Sequence, residues 1–174
     1  MEIIRKEACV KEHLSENKTK KLVRPTWDEY FIKIAKLVAT RSNCLRRQVG
    51  AVLVRDKMII STGYNGTPRG TTNCDEGGCR RCANPDVPSG SGLGECTCVH
   101  AEENAILQAA YNGMPVKGST LYTSLCPCIY CAKHLINAGV VKVFYSGSYA
   151  MDDQSKSILR EAGVELFEYK DRDV

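Results

Sequence analysis

Two short segments hold the residues best suited to chemistry: His100-Ala101-Glu102 and Pro127-Cys128-Ile129-Tyr130-Cys131. Both read as helix entrances. Cys128 and Cys131 are three residues apart, which puts their side chains on one face of the first turn. Pro127 suits an entrance where no amide donor is needed. The partial positive charge of a helix N-terminus favours thiolate over thiol. With His100 at the start of the neighbouring helix, one imidazole and two thiolates can converge on one ion. That donor set predicts a tetrahedral Zn2+ with its fourth position open, the pattern of a reactive rather than a structural zinc. Two thiolates cancel the ion's charge, and zinc lowers the pKa of a bound water to about 7, so hydroxide forms at neutral pH. Glu102 is placed to carry the protons that a hydrolysis moves. Alone, His-x-Glu means little, and Cys-x-x-Cys also fits a redox pair or half a structural zinc site. The two segments together, in this order, point to a hydrolytic zinc centre.

The elements that must position these residues follow from periodicity. Thr26 with Glu29 has the form of a capping box, and Trp27, Tyr30, Phe31, Ile34, Leu37 and Val38 recur at helical spacing to about Thr40. This stripe reads as core or as an oligomer contact. Val49–Val54 and Met58–Thr62 read as a hairpin around Arg55-Asp56-Lys57. Then come a helix at about His100–Asn112, a strand at Ser119–Thr123 and a helix from Pro127 to about Ala138. A strand at Val141–Tyr145, a helix near Asp152–Ala162 and a strand at Val164–Tyr169 complete the chain. Alternation after an opening hairpin predicts a three-layer α/β/α sandwich with a mixed sheet of about five strands.

The 174 residues, 43% hydrophobic and 25% charged, describe one globular domain and exclude a disordered chain. Residues 1–24 read as a basic N-terminal arm, with seven Lys/Arg against four Glu, and residues 25–174 as the domain. The net charge of +4 is too small to argue a nucleic-acid partner. No apolar run approaches the roughly 20 residues of a membrane helix. MEIIRKEACVKEH is too charged for a signal-peptide core, so the expected place is the cytoplasm, or also the nucleus in a eukaryotic cell.

Ten cysteines are unusual. Their clustering in a chain with no export signal reads as metal ligation rather than disulfides. Tyr64–Val99 is 36 residues without clear period, and it holds five of the cysteines and seven of the fourteen glycines. A loop this long needs something to pin it. A structural Zn2+ held by four of Cys44, Cys74, Cys79, Cys82, Cys96 and Cys98 would do so. The sequence does not select the four, and six leave room for more than one ion. Cys9 reads as a free thiol in the arm, Cys126 as packing beside the site, and His134 as a surface or interface histidine.

The His-x-Glu and Pro-Cys-x-x-Cys combination is a known signature of zinc deaminases. Gly63-Tyr64-Asn65-Gly66-Thr67-Pro68, Arg41-Ser42-Asn43-Cys44 ahead of Val49-Gly50-Ala51, and His100 through Ile106 resemble the deoxycytidylate (dCMP) deaminase family over about residues 25–170. Asn73-Cys74, Gly78-Cys79, Cys82 and Cys96-Thr97-Cys98 are closest to its fungal and viral members. The resemblance implies the cytidine-deaminase sandwich and hydrolysis of dCMP to dUMP and ammonia, with Glu102 as proton shuttle. It implies that Asn65 holds the sugar, the Ala101 amide the pyrimidine, and carbonyl groups at Ser124–Cys126 the amino group. Arg46, Ser42 and Asn43 would hold the phosphate, with Tyr149 closing over the base; Arg46-Arg47 also reads as a solvated basic turn. For the structural zinc it favours Cys44 and Cys74 with one of Cys79/Cys82 and one of Cys96/Cys98. It further implies a hexamer, activated by dCTP (with Mg2+) and inhibited by dTTP through Asn65, Gly66, Pro68 and Arg69. Some regulated members carry Arg where this chain has Tyr111.

Two other readings stay open. A related zinc deaminase would act on cytidine, dCTP (alone or beside dCMP), a riboflavin precursor or tRNA adenosine. A zinc-stabilised binding protein would need the ligands but have no use for Glu102.

Overall fold

The computed structural model describes residues 23–88, 91–149 and 152–170, so the arm, with Cys9 and His13, lies almost wholly outside the described residues. Helix α1 spans Trp27–Ala39, strand β1 Gly50–Arg55 and strand β2 Met58–Tyr64. A 3-10 turn at Cys74–Glu76, the one-turn helix α2 at Arg80–Ala83 and a second 3-10 turn at Leu93–Glu95 punctuate the long loop. Then follow α3 (Ala101–Tyr111), β3 (Thr120–Thr123), α4 (Ile129–Asn137), β4 (Lys142–Tyr145), α5 (Asp153–Glu161) and β5 (Glu165–Glu168).

The strands form one mixed five-stranded sheet in the order β2-β1-β3-β4-β5. β1 runs antiparallel to both β2 and β3, while β3, β4 and β5 are parallel. The hairpin turns on Asp56 and Lys57, both in the left-handed region at φ 52° and 63°. Two such residues give the turn whose twist matches that of the strands it joins. On one face α3, α4 and α5 cover a core containing Ala51, Leu53, Leu121, Leu135, Val143 and Leu159. On the other, α1 lies over Val52, Val54 and Tyr122. Both faces carry helices, as alternation requires, and element ends differ from expectation by a residue or two. Among the described residues no helix is long and apolar enough to cross a membrane.

The expected stripe on α1 is rotated. Its buried side chains are Phe31, Ile32, Ala35 and Ala39, while Trp27, Tyr30 and Leu37 are exposed. The cause is close packing on the sheet: a Cβ on Gly50 would stand 2.2 Å from the Ala35 carbonyl oxygen and 2.4 Å from the Ala39 nitrogen. Where the backbones approach so closely only alanines fit, at Ala35 and Ala39, while Phe31 and Ile32 fill the space beside them. Thr26 caps the helix by accepting from the Glu29 N–H at 3.2 Å. The Glu29 carboxylate pairs with Lys33.

β2 meets α3 in the same way. A Cβ on Gly63 would lie 2.2 Å from the Ala101 carbonyl oxygen and 2.4 Å from the Ala105 nitrogen. The start of α3, next to His100, is thereby seated directly on β2.

Candidate active site

His100 is the N-cap residue of α3 and Cys128 the N-cap residue of α4. Two helix entrances therefore face one point, and each leaves first-turn N–H groups without carbonyl partners in its own helix. Cys131, one turn into α4, is buried, and so is Glu102 in the first turn of α3. His100 Nδ1 lies 3.3 Å from Cys128 Sγ and 3.4 Å from Cys131 Sγ. A tetrahedral zinc with bonds of about 2.3 Å to sulfur and 2.0 Å to nitrogen spaces its donors roughly 3.5–3.8 Å apart. The two histidine–sulfur spacings thus fit Zn2+ to within a few tenths of an ångström, and all three donor atoms lie within 4.8 Å of one another. Glu102 Oε2 is 3.6 Å from Cys131 Sγ.

Cys128 is lowered to about 4 by its hydrogen bond with Cys131, which outweighs burial, with His100 adding to the effect. His100 is raised to about 9, first through its hydrogen bond with Cys128 and against its own burial. Cys131 is pushed up by its bond to Cys128 and by burial. Burial raises Glu102 to about 7, with its own backbone N–H and His100 pulling the other way. A carboxyl poised near neutrality can both take and give a proton.

These residues stand at the foot of a cavity of about 430 Å³. His100, Ala101, Glu102 and Cys128 line it, together with Asn65, Arg46 and Tyr149. Ser42, Asn43 and Ser124 are not among its lining residues. Ser42 Oγ instead donates to the Asn65 carbonyl at 2.7 Å and accepts from the Cys44 N–H at 3.2 Å. Ser124 Oγ accepts from the Gly50 N–H at 3.0 Å. Asn65 spans the turn before β1: its Oδ1 accepts from the Val49 N–H and its Nδ2 donates to the Arg47 carbonyl, both at 2.8 Å. One N–H and one lone pair of that amide remain for a ligand.

Arg46 is largely committed elsewhere. Its Nε donates to the Cys82 carbonyl at 3.0 Å, and Nη2 donates to the Val87 carbonyl at 2.9 Å and to that of Asn84. The guanidinium fastens the cysteine-rich loop across the cavity. Buried Arg81 does likewise for the carbonyls of Pro88 and Ser91. Arg47 lines the same wall, is exposed, and makes no side-chain hydrogen bond to a described residue. Tyr149 donates from its hydroxyl to the Pro127 carbonyl at 3.4 Å. In the loop after β2, Gly66 pairs with Val99 in an isolated bridge, while Pro68 and Arg69 are exposed. Arg69 lies 5.0 Å over the Tyr111 ring. His134 is exposed on α4, and Cys126 is buried beside the cavity.

Sequence reasoning missed Arg47, Arg81, Leu93 and Ser148 as lining residues. The only signal was the basic pair Arg46-Arg47. Nothing local to it says which of the two is engaged by carbonyls nearly forty residues away.

The family model described as cytidine and deoxycytidylate deaminase zinc-binding region matches residues 25–147. The chain belongs to this family, and the domain it carries is a zinc-binding one. Among curated proteins it is similar to the deoxycytidylate deaminase of Schizosaccharomyces pombe, with 49% identity over 146 residues, covering 84% of this chain and 45% of that protein. Its similarity to the deoxycytidylate deaminase of Saccharomyces cerevisiae is 47% over 148 residues, covering 85% and 46%. The chain thus spans just under half the length of these two relatives. Among solved structures it resembles the dCMP deaminase of cyanophage S-TIM5 in complex with dCMP and dUMP, at 34% identity and a TM-score of 0.71. That match covers 85% of this chain and all of the phage chain.

Proposed function

We propose that the chain hydrolyses dCMP to dUMP and ammonia. The observation that carries this reading is the convergence of His100, Cys128 and Cys131 beside buried Glu102 at a cavity that is also lined by Arg47, whose guanidinium makes no hydrogen bond to a described residue. His100, Cys128 and Cys131 would hold Zn2+, which would supply Lewis-acid activation of a water molecule. Glu102 would accept the proton lost from that water and deliver it to N3 of the pyrimidine as the hydroxide oxygen bonds to C4. It would then carry the remaining proton of the new C4 hydroxyl to the amino nitrogen as the C4–N bond breaks, leaving the C4 carbonyl of dUMP and releasing ammonia rather than an amide ion. The Ala101 amide at the helix entrance and the remaining donor of Asn65 orient base and sugar. Carbonyl groups at Ser124–Cys126 receive the amino group, and Tyr149 covers the base.

Arg47, rather than Arg46, supplies the main charged contact to the 5′-phosphate, because its donors are not engaged by the described residues of the loop. Ser42 and Asn43 act by shaping the turn that presents it. This favours a nucleotide over a free nucleoside substrate, since cytidine would leave Arg47 unused. The six-cysteine cluster holds structural zinc in addition to the ion at His100. The regulatory reading assigns dCTP (with Mg2+) and dTTP to the loop at Asn65, Gly66, Pro68 and Arg69, within a homohexamer.

A substrate panel tests the reading. Purified chain should turn over dCMP with a higher kcat/KM than dCTP, deoxycytidine or cytidine, and faster turnover of any of these three would overturn it. Adding dCTP with Mg2+, or dTTP, to the same assay tests the regulation. Light scattering tests the hexamer.

A further inference from the structure

Six cysteines from four separate segments of the chain meet in one cluster, four buried and Cys44 and Cys96 half-buried: Cys44 after α1, Cys74 in the first 3-10 turn, Cys79 and Cys82 around α2, and Cys96 and Cys98 before α3. None forms a disulfide. They fall into two groups of four, each with all its sulfurs within 4.8 Å of one another. One group is Cys44, Cys74, Cys82 and Cys98, and the other is Cys79, Cys82, Cys96 and Cys98. Cys82 and Cys98 belong to both.

From this overlap we propose that the cluster is a binuclear zinc site, Zn2Cys6, in which the thiolates of Cys82 and Cys98 each bridge two ions. Cys44 and Cys74 complete the tetrahedron of one ion, and Cys79 and Cys96 that of the other. Separate four-cysteine sites would need eight sulfurs, whereas two tetrahedra sharing an edge need six. The spacings agree. Cys44 and Cys82 sulfurs are 3.9 Å apart, those of Cys79 and Cys96 3.8 Å, and those of Cys82 and Cys96 3.8 Å. The edge of a zinc–thiolate tetrahedron is about 3.8 Å, from bonds of about 2.3 Å. The first of these spacings lies within one group and the other two within the second, so both groups show tetrahedral edges.

A single ion would leave two thiols packed against the sulfurs of its own shell. With Zn2+ in the first group alone, these would be Cys79 and Cys96, with no metal to hold them at a tetrahedral edge. Two ions and six thiolates carry a net charge of about −2, the same as one Zn2+ with four thiolates. The second ion therefore adds cross-links without adding charge. Binding requires all six thiols to lose their protons, so loading releases protons and is lost in acid. Between them the two ions join the end of α1 to the loop that closes over the cavity and to the strand-like segment leading into α3. Cys98 stands two residues before His100, and the bridge between Gly66 and Val99 lies between the two sites.

The test counts metal and does not depend on which substrate the chain deaminates. Native mass spectrometry of the full chain should find three Zn2+ per chain, one at His100, Cys128 and Cys131 and two in the cluster; two in all would overturn the proposal. Chain loaded with spin-active cadmium should show two all-sulfur resonances that split each other through the shared thiolates. A single all-sulfur resonance, or two without mutual splitting, would overturn it. The double variant Cys79→Ser/Cys96→Ser leaves the first group complete. It should fold, bind two ions instead of three and lose the splitting, with the resonance of the His100 site unchanged. An unchanged count in that variant, or visible absorption of an iron–sulfur cluster in the wild-type chain, would also refute the assignment.

Discussion

Replacing Gly63 with alanine puts one methyl group where the chain has no room for it. The added Cβ would sit 2.2 Å from the Ala101 carbonyl oxygen and 2.4 Å from the Ala105 nitrogen. Both are backbone atoms of α3, so no side chain can swing aside. To restore an ordinary contact, the start of α3 must retreat from β2 by about 1 Å. His100 and Glu102 flank Ala101 and travel with it, while Cys128 and Cys131 stay on α4. Overpacking of this kind costs about 1–3 kcal/mol, or about 2–4 °C of Tm per kcal/mol in a chain of this size. A displacement of about 1 Å at reacting groups can cost about 10²-fold in rate. Gly50→Ala is the matched control, because its Cβ meets Ala35 and Ala39 of α1 at the same distances on the opposite face. Both variants should lose comparable Tm, but only Gly63→Ala should lose about 10²-fold in kcat on dCMP. Equal kcat in the two variants at matched Tm would show that α3 does not set the geometry of the site.

Glu102→Gln should keep its zinc and its fold while kcat falls at least ~10²-fold; metal analysis beside steady-state kinetics checks this, and retained turnover removes Glu102 from the chemistry. Arg47→Ala should raise KM for dCMP by about 10- to 100-fold, as expected for a lost charge-assisted hydrogen bond, with deoxycytidine turnover unchanged. Arg46→Ala should instead lower the Tm, because it orphans carbonyls of the cysteine loop at roughly 1–3 kcal/mol; thermal melts of the two variants side by side separate the roles.

What the sequence disclosed was set by local spacing. The two metal-ligand segments were readable because both sit at helix entrances, where His100 and Cys128 need no distant partner to be oriented. The hairpin and the alternating elements were readable for the same reason. The buried face of α1 was readable only in part, at Phe31 with Ile34 and Val38 packed beside it. Hydrophobic size pointed to Trp27 and Leu37, whereas the contact is made where backbones nearly touch, at Ala35 and Ala39 over Gly50. The two neighbouring arginines were equally opaque, since their difference lies in carbonyls at Cys82, Asn84 and Val87. The six-cysteine group could be counted in advance. That Cys82 and Cys98 are common to two sets of four is a property of three dimensions only.

The strand directions also divide the molecule into a working rim and a plain one. The C-terminal ends of β2, β3 and β4 and the start of β1 all feed the cavity side. The Asp56-Lys57 turn and the glycine turns at Gly118, Gly139 and Gly163 gather at the opposite end. A fluorophore, affinity handle or surface tether grafted at Asp56 or Gly163 would therefore leave the cavity rim untouched. An immobilised or labelled version of the protein is best built from that side.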